Sequence, residues 1–335
     1  MKNKSNTDWL LEIDFSDLMD LRIDYAFKLI FGLGNTIFLI SLLNAIFANK
    51  KIPRKIKTLT IMNPYLDKYS KDDKLSVLDI RAKLDDGSTV LIEMHLYGID
   101  NLKYKTIRSW ARAYSEELKE GEGYSTQQPV ICVAFTNGSV DGNESSDFHK
   151  CCKIMDISDK TIFTNALELH YIDMSAFVKD IQKTNKIPKD ETQGSILANW
   201  LAFINQKDIS NKELLKSICK EQEEIGMAVS VLSRTSKDKL TRQEYLRRQD
   251  DIILANIQAQ KYEAMERELV EKLATIAENE AIIAKNEAAL AKNEAALAKN
   301  EAALATKDAA LATKDAALAD LEKTIAELKS RLGEK

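Results

Sequence analysis

Residues 75–97 read LSVLDIRAKLDDGSTVLIEMHLY, and the fold turns on how this stretch is paired. In its first half Leu78, Ile80, Ala82 and Leu84 alternate with Val77, Asp79, Arg81 and Lys83. In its second half Val90, Ile92, Met94 and Leu96 alternate with Leu91, Glu93, His95 and Tyr97. A period of two sustained over that length is the mark of a β-strand. Asp85-Asp86-Gly87 suits a three-residue hairpin loop, with glycine where the backbone must take a positive φ. This loop pairs Leu84 with Ser88, and counting back sets Asp79 across from Glu93. Register parity then gathers Asp79, Lys83, Glu93 and His95 on one face and turns an aliphatic face to a core.

Two carboxylates opposed on one sheet face repel each other. A divalent cation between them turns that repulsion into binding, because hard cations such as Mg²⁺ take carboxylate oxygens and keep positions for water and phosphate. His95 points at the same place and suits a base, a phosphate contact or a ligand. The competing reading is a half-solvated sheet face with ordinary charges.

The residues around the hairpin carry a likeness. Asp24-Tyr25-Ala26-Phe27-Lys28 with Phe31-Gly32, the run Leu42-Leu43-Asn44-Ala45-Ile46, Asn63-Pro64 before the hairpin, and Asp79 and Glu93 within it occur in a set order. Arg108, Tyr114, Gly121 and Tyr124, then Leu169-His170-Tyr171-Ile172-Asp173, then Leu232-Ser233 and Tyr245-Leu246-Arg247, continue that order. Over residues 21–260 the chain resembles the Rpn recombination-promoting nucleases, also called PD-(D/E)xK nuclease family transposases. The resemblance implies a restriction-endonuclease-like α/β core, a mixed sheet flanked by helices. It implies Mg²⁺ or another divalent cation held by Asp79, Glu93 and the Met94 carbonyl, and DNA as substrate. Asp79, Glu93 and His95 are its catalytic candidates, and Asp24, Lys83 and Arg108 its auxiliary ones. The wider superfamily has Lys where this chain has His95, and the narrower family usually Gln. Lys83 is the candidate to replace that lysine. Two functions follow: a metal-dependent DNA endonuclease of the recombination-promoting or transposase type, or an inactive nuclease fold used as a binding module.

Composition bounds these readings. The chain has 335 residues and a formal net charge of −4, which does not announce a nucleic-acid binder. Basic stretches at residues 50–57 and 103–112 supply that character locally. Four cysteines form no CxxC pair and three histidines no metal-ligand spacing, so a reducing cytoplasmic setting is expected. The opening MKNKSNTDWLLEIDF lacks the apolar stretch of a secretion signal. Residues 27–47 are apolar, but Gly32, Gly34, Asn35 and Asn44 interrupt them, so no membrane span is expected. P-loop, HEXXH, GxSxG and zinc-finger spacings are absent.

In order, residues 1–20 form a polar lead-in, 21–180 the nuclease-like domain, 181–260 a helical region and 261–335 a heptad-repeat helix. Within the second, residues 24–32 and 36–48 are expected as helices, the latter with Ile37, Ile40, Leu43 and Phe47 inward. Asp24 suits either a helix N-cap or the site. Residues 55–62 form a first strand and 65–74 a charged loop. Residues 101–120 form a helix whose inward stripe reads Tyr104, Ile107, Ala111, Tyr114 and Leu118. Its Lys103, Lys105, Arg108 and Arg112 suit phosphate contacts or solvated charge. Residues 129–137, PVICVAFTN, read as a central strand buried on both faces, and 166–174 as a closing strand in which His170 is structural. Helices follow over 195–206, 211–233 and 241–260.

The last quarter differs. Leu269, Ile276, Ile283, Leu290, Leu297, Leu304, Leu311, Leu318, Ile325 and Leu332 stand seven apart, separated by near-identical repeats. Ala, Glu and Lys favour helix, and a strict period of seven favours a left-handed supercoil. Only one core row is apolar, because Asn286, Asn293 and Asn300 flank it on one side and Glu287, Glu294 and Glu301 on the other. Leu321 and Leu328 restore the second row near the end. Homo-oligomers joined there are the expectation, with a solvated single helix as the rival.

Overall fold

The structure is a computed structural model. It describes residues 13–33, 36–50, 52–62, 65–66, 76–77, 79–96, 101–118, 120–142, 147–188 and 194–333. Leu78, Tyr97 and the Asn63-Pro64 pair lie outside the described residues. The chain divides into two compact units, Met1–Ala259 and Gln260–Lys335.

In the first unit the quoted hairpin forms as β4 (Ile80–Leu84) and β5 (Thr89–His95). Ile80 pairs with Ile92, Arg81 with Leu91 and Ala82 with Val90. Leu84 N–H donates to Ser88 O at 2.9 Å and Gly87 N–H to Leu84 O at 3.1 Å. Gly87 has φ +86°, so the turn needs the residue that lacks a Cβ. Asp79 stands one residue ahead of β4, where the same register sets it opposite Glu93.

β4 and β5 lie inside a six-stranded mixed sheet, with β1 (Leu59–Met62) beyond β4 and β6 (Val130–Thr136), β8 (Ile162–Asp173) and β7 (His149–Met155) beyond β5. β5, β6 and β8 run parallel to one another, while β1–β4, β4–β5 and β7–β8 are antiparallel. Every residue of β6 is buried, as its apolar run dictates. Strand β7 has no counterpart in the sequence reading; as an edge strand it carries Lys150, Cys151, Cys152 and Lys153, with no apolar alternation. A short ribbon pairs β2 (Tyr65–Leu66), where a loop is expected, with β3 (Ser76–Val77), which the alternation places in the first hairpin strand.

One sheet face packs on the larger core. Ile80, Ala82, Val90, Ile92, Val133 and Phe135 meet α1 (Asp24–Phe27), a π-helical turn (Lys28–Gly32), α2 (Thr36–Asn49), α4 (Met174–Thr184) and α5 (Gly194–Ile204). α2 buries Phe38, Leu39, Leu42, Leu43, Ala45, Ile46 and Phe47. Ile37, expected inward, is 48% exposed. Trp200 sits at the centre of this core, edge-on to Phe31 at 5.5 Å, with its indole N–H on Ser41 Oγ. Among the described residues no single helix is long and apolar enough to cross a membrane. The bent pair Asp24–Gly32 and Thr36–Asn49 is apolar enough together, and most of its apolar residues belong to this core.

The other sheet face is covered by α3 (Leu102–Glu116), whose orientation differs from the expected one. Its buried residues are Leu102, Thr106, Ser109, Arg112 and Ala113, while Tyr104, Ile107 and Ala111 face outward. Trp110 and Tyr114 stack with centroids 5.1 Å apart against the smaller core of Leu91, Val130, Cys132, Ala134, Leu169 and Tyr171. The helix that residues 211–233 predict is two helices, α6 (Lys212–Glu221) and α7 (Glu223–Lys237), split at extended Gln222. The last helix, α8, runs unbroken over Lys239–Gly333. In the second unit its seven-residue row is 46% to 78% exposed.

Candidate active site

A cavity of about 350 Å³ opens at the end of β5. Asp24, Asp79, Glu93, Met94, His95 and Lys105 line it, together with Arg22 and the α8 residues Arg248, Ile252 and Asn256. The hairpin thus brings Asp79, Glu93, Met94 and His95 to one place, and α1 adds Asp24.

Each acidic side chain is held differently. Asp79 Oδ2 accepts the Met94 N–H at 2.6 Å, so the carboxylate satisfies a strand donor just where the β4 ladder stops. Asp79 Oδ1 lies 3.4 Å from the Lys28 ammonium, which the π-helical turn presents. Such turns are frequent at functional sites. Burial pushes the Asp79 carboxyl up, and the Lys28 charge and the Met94 N–H only partly oppose it. Glu93 Oε1 accepts from Ser109 Oγ of α3 at 3.2 Å. Glu93 Oε2 lies 2.8 Å from His95 Nε2 and 3.0 Å from Lys105 Nζ. Burial alone would raise the Glu93 carboxyl; the adjacent imidazole and the Lys105 ammonium outweigh it and hold it below the usual carboxylate range. The Glu93–His95 contact is short but misaligned, and neither Glu93 Oε2 nor His95 Nε2 completes a hydrogen bond although both atoms are buried. We therefore read it as charge proximity rather than as a formed hydrogen bond. Asp24 is the first residue of α1, behind the N-cap residue Ile23, and its carboxylate accepts the Tyr25 N–H at 2.8 Å. Arg248 grips it from α8 through Nε at 2.9 Å and Nη2 at 2.7 Å.

Two auxiliary candidates fall elsewhere. Lys83 shares the face of Asp79, yet it stands near the turn end of the hairpin and is engaged by Glu117 and Thr89. The structure does not bring it to the cavity. Arg108 lies on the exposed side of α3 and does not line the cavity either. The cations at the carboxylates are Lys28, Lys105 and Arg248. Lys28 belongs to the Asp24-Tyr25-Ala26-Phe27-Lys28 motif, four residues from Asp24 with its Nζ 3.8 Å from that carboxylate, so its place is readable from helical spacing. Lys105 sits in the basic run of α3. Nothing in the sequence ties Arg248 to Asp24, 224 residues away.

The donor set fits a hard divalent cation. Two carboxylates converge on one cavity, and one of them presents a buried oxygen with no hydrogen bond. No group of three or more His, Cys, Asp or Glu side chains among the described residues is arranged around a common metal position. Any cation here is therefore completed by backbone oxygen, water or substrate.

The mixed sheet with its flanking helices is the fold of a PD-(D/E)XK nuclease core. The family model described as PD-(D/E)XK nuclease family transposase matches residues 21–256, and the chain belongs to that family. Searches of curated proteins and of solved structures find no match.

Proposed function

We propose that this chain is a metal-dependent DNA endonuclease of the recombination-promoting or transposase type, working at the β5 cavity. The observation that carries the reading is the convergence of Asp79 and Glu93 there, with the buried Glu93 Oε2 held by the charges of its neighbours rather than by an aligned hydrogen bond. Asp79, Glu93 and the Met94 carbonyl would hold Mg²⁺ or a similar ion. When bound, such an ion supplies charge stabilisation to the phosphodiester and acidifies water. Lys28 and Lys105 pair with the carboxylates, and at 30% and 56% exposure their side chains stand where a phosphate at the carboxylates would meet them. His95 orients water or accepts its proton, with Nε2 beside Glu93 Oε2. Arg248 keeps Asp24 at the cavity wall. Four cysteines without a disulfide among them agree with a cytoplasmic setting.

The two lysine–carboxylate pairs favour a second reading. A site already neutral without a metal suits an inactive nuclease fold that only binds. Plasmid nicking with Mg²⁺, alongside terbium luminescence as a direct measure of cation binding, separates the two. Asp79→Asn and Glu93→Gln keep the local shape, and both are expected to lower nicking by about 10²-fold or more and to weaken terbium binding. Nicking that survives both substitutions would sink the endonuclease reading. Terbium binding by a chain that never nicks selects the second.

A further inference from the structure

The orientation of α3 has no packing rationale in its own sequence. An amphipathic helix ordinarily buries its aromatic and aliphatic residues and shows its hydroxyls and charges to water. Here Thr106, Ser109 and Arg112 are 4%, 2% and 4% exposed, while Tyr104 and Ile107 are 67% and 45% exposed. The orientation is pinned from inside: Ser109 donates to Glu93, Trp110 Nε1 to Ala166 O at 3.1 Å, and Gln127 Nε2 to Tyr114 O at 2.6 Å. The outward face is also of one sign. Residues 102–115 contain no Asp or Glu, in a chain whose net charge is −4. Lys103 Nζ lies 5.8 Å over the Tyr104 ring, and Lys105 reaches from the same turn into the cavity to Glu93.

We propose that the outward face of the first half of α3 is the seat of an unpaired nucleic-acid strand. An unstacked base lies on the Tyr104 ring beside Ile107, and the neighbouring phosphates meet Lys103 and Lys105. The assignment rests on the nucleic-acid reading of the site and narrows it to a substrate class. Contacts to a duplex are made with its phosphates, for which lysine suffices. An exposed tyrosine bracketed by lysines is instead the arrangement that holds single strands, because every base offers a ring face for stacking. Lys105 joins this seat to the carboxylates, so a strand lying on α3 delivers its next phosphate to the cavity.

The test is fluorescence anisotropy of the full chain in EDTA, where cleavage plays no part. The probes are a fluorescein-labelled single-stranded oligonucleotide and the same sequence as a duplex. The single strand is expected to bind about tenfold more tightly than the duplex. Tyr104→Ala should remove about that factor for the single strand alone, and Tyr104→Trp should restore it. Lys103→Glu should weaken both probes and reduce the salt dependence. Circular dichroism of Tyr104→Ala checks the fold, which an exposed side chain does not support. Equal binding of the single strand by wild type and Tyr104→Ala, or equal binding of both probes, overturns the proposal. So does a change in sedimentation of Tyr104→Ala with nucleic-acid binding intact, which would make this face a protein interface. Tyr104-dependent binding by a chain that never nicks leaves the strand seat standing while the endonuclease reading fails.

Discussion

The sheet carries the same tripeptide pattern twice, on the two strands that flank β6. Glu93-Met94-His95 ends β5, and Glu168-Leu169-His170 lies in β8. Glu93 aligns through Ala134 with Tyr171, whereas Glu168 aligns with Ile131, so the two patterns fall on opposite faces. On the larger-core face the polar groups of the second pattern are partnered. His170 Nε2 lies 2.8 Å from Glu168 Oε1, His149 Nε2 lies 2.9 Å from His170 Nδ1, and Asn49 Oδ1 lies 2.6 Å from His149 Nδ1. With both rings neutral the chain closes in one direction. His170 donates to Glu168, His149 donates to His170, and the Asn49 amide, turned to present its nitrogen, donates to His149. Arg54 and Lys153 complete Glu168 at 3.2 and 3.0 Å. At the cavity the same residue types meet without an aligned bond. A completed network holds a fold together; an incomplete one at an opening is ready for something else.

The sharpest way to break this contrast is to remove one carboxylate from each. Glu168→Ala strands a buried histidine and two cations, and should cost about 3 to 5 kcal/mol in urea unfolding, with nicking per folded molecule unchanged. Glu93→Gln should do the reverse, lowering nicking by about 10²- to 10³-fold while stability moves by under about 1 kcal/mol. Equal stability losses from both would erase the distinction.

Acid should act on the sealed network next. Burial, with each ring's cationic neighbours, holds His149 and His170 below the usual histidine range; for His170 the Glu168 carboxylate opposes this without cancelling it. The unfolded chain therefore takes up protons below about pH 6.5 that the folded chain refuses. Stability is full above that pH and falls as pH drops through it. Glu168, held at about 2 because the hydrogen bond from His170 and the charges of Arg54 and Lys153 outweigh burial, adds a further loss below its ordinary value. Replacing His149 by Asn should flatten the slope between about pH 6.5 and 5. An unchanged slope would mean that these rings titrate normally. The smallest effect belongs to Lys105→Ala, an ion pair at a half-exposed ammonium. It should change stability by under about 1 kcal/mol and tighten terbium binding, because a competing charge is gone.

What the sequence discloses follows the range of the interaction. The hairpin is local: alternation sets the strands, Gly87 closes the turn, and the register sets Asp79 opposite Glu93. The β6 run and the structural role of His170 are legible for the same reason. Strand β7 is not, because an edge strand with lysines and cysteines lacks a period. The break at Gln222 has neither glycine nor proline to mark it. It becomes intelligible only through Gly226, where a Cβ would come within 2.8 Å of Cys219 O, so α7 turns back tightly on α6. The orientation of α3 inverts its own apolar pattern, since partners on the sheet overrule it. Of the site, the carboxylates and His95 are readable from the hairpin. Arg248 is not, because its partner stands at the other end of the unit.

The repeated heptads of α8 have one consequence of their own. Each unit of seven residues is two helical turns, about 10.5 Å, and it carries the leucine row forward with a drift of only about 20°. Gain or loss of a copy by slippage during replication would thus change reach in fixed steps while leaving the row nearly in phase. Such a change would fall wholly within the second unit, outside the family-matched residues 21–256.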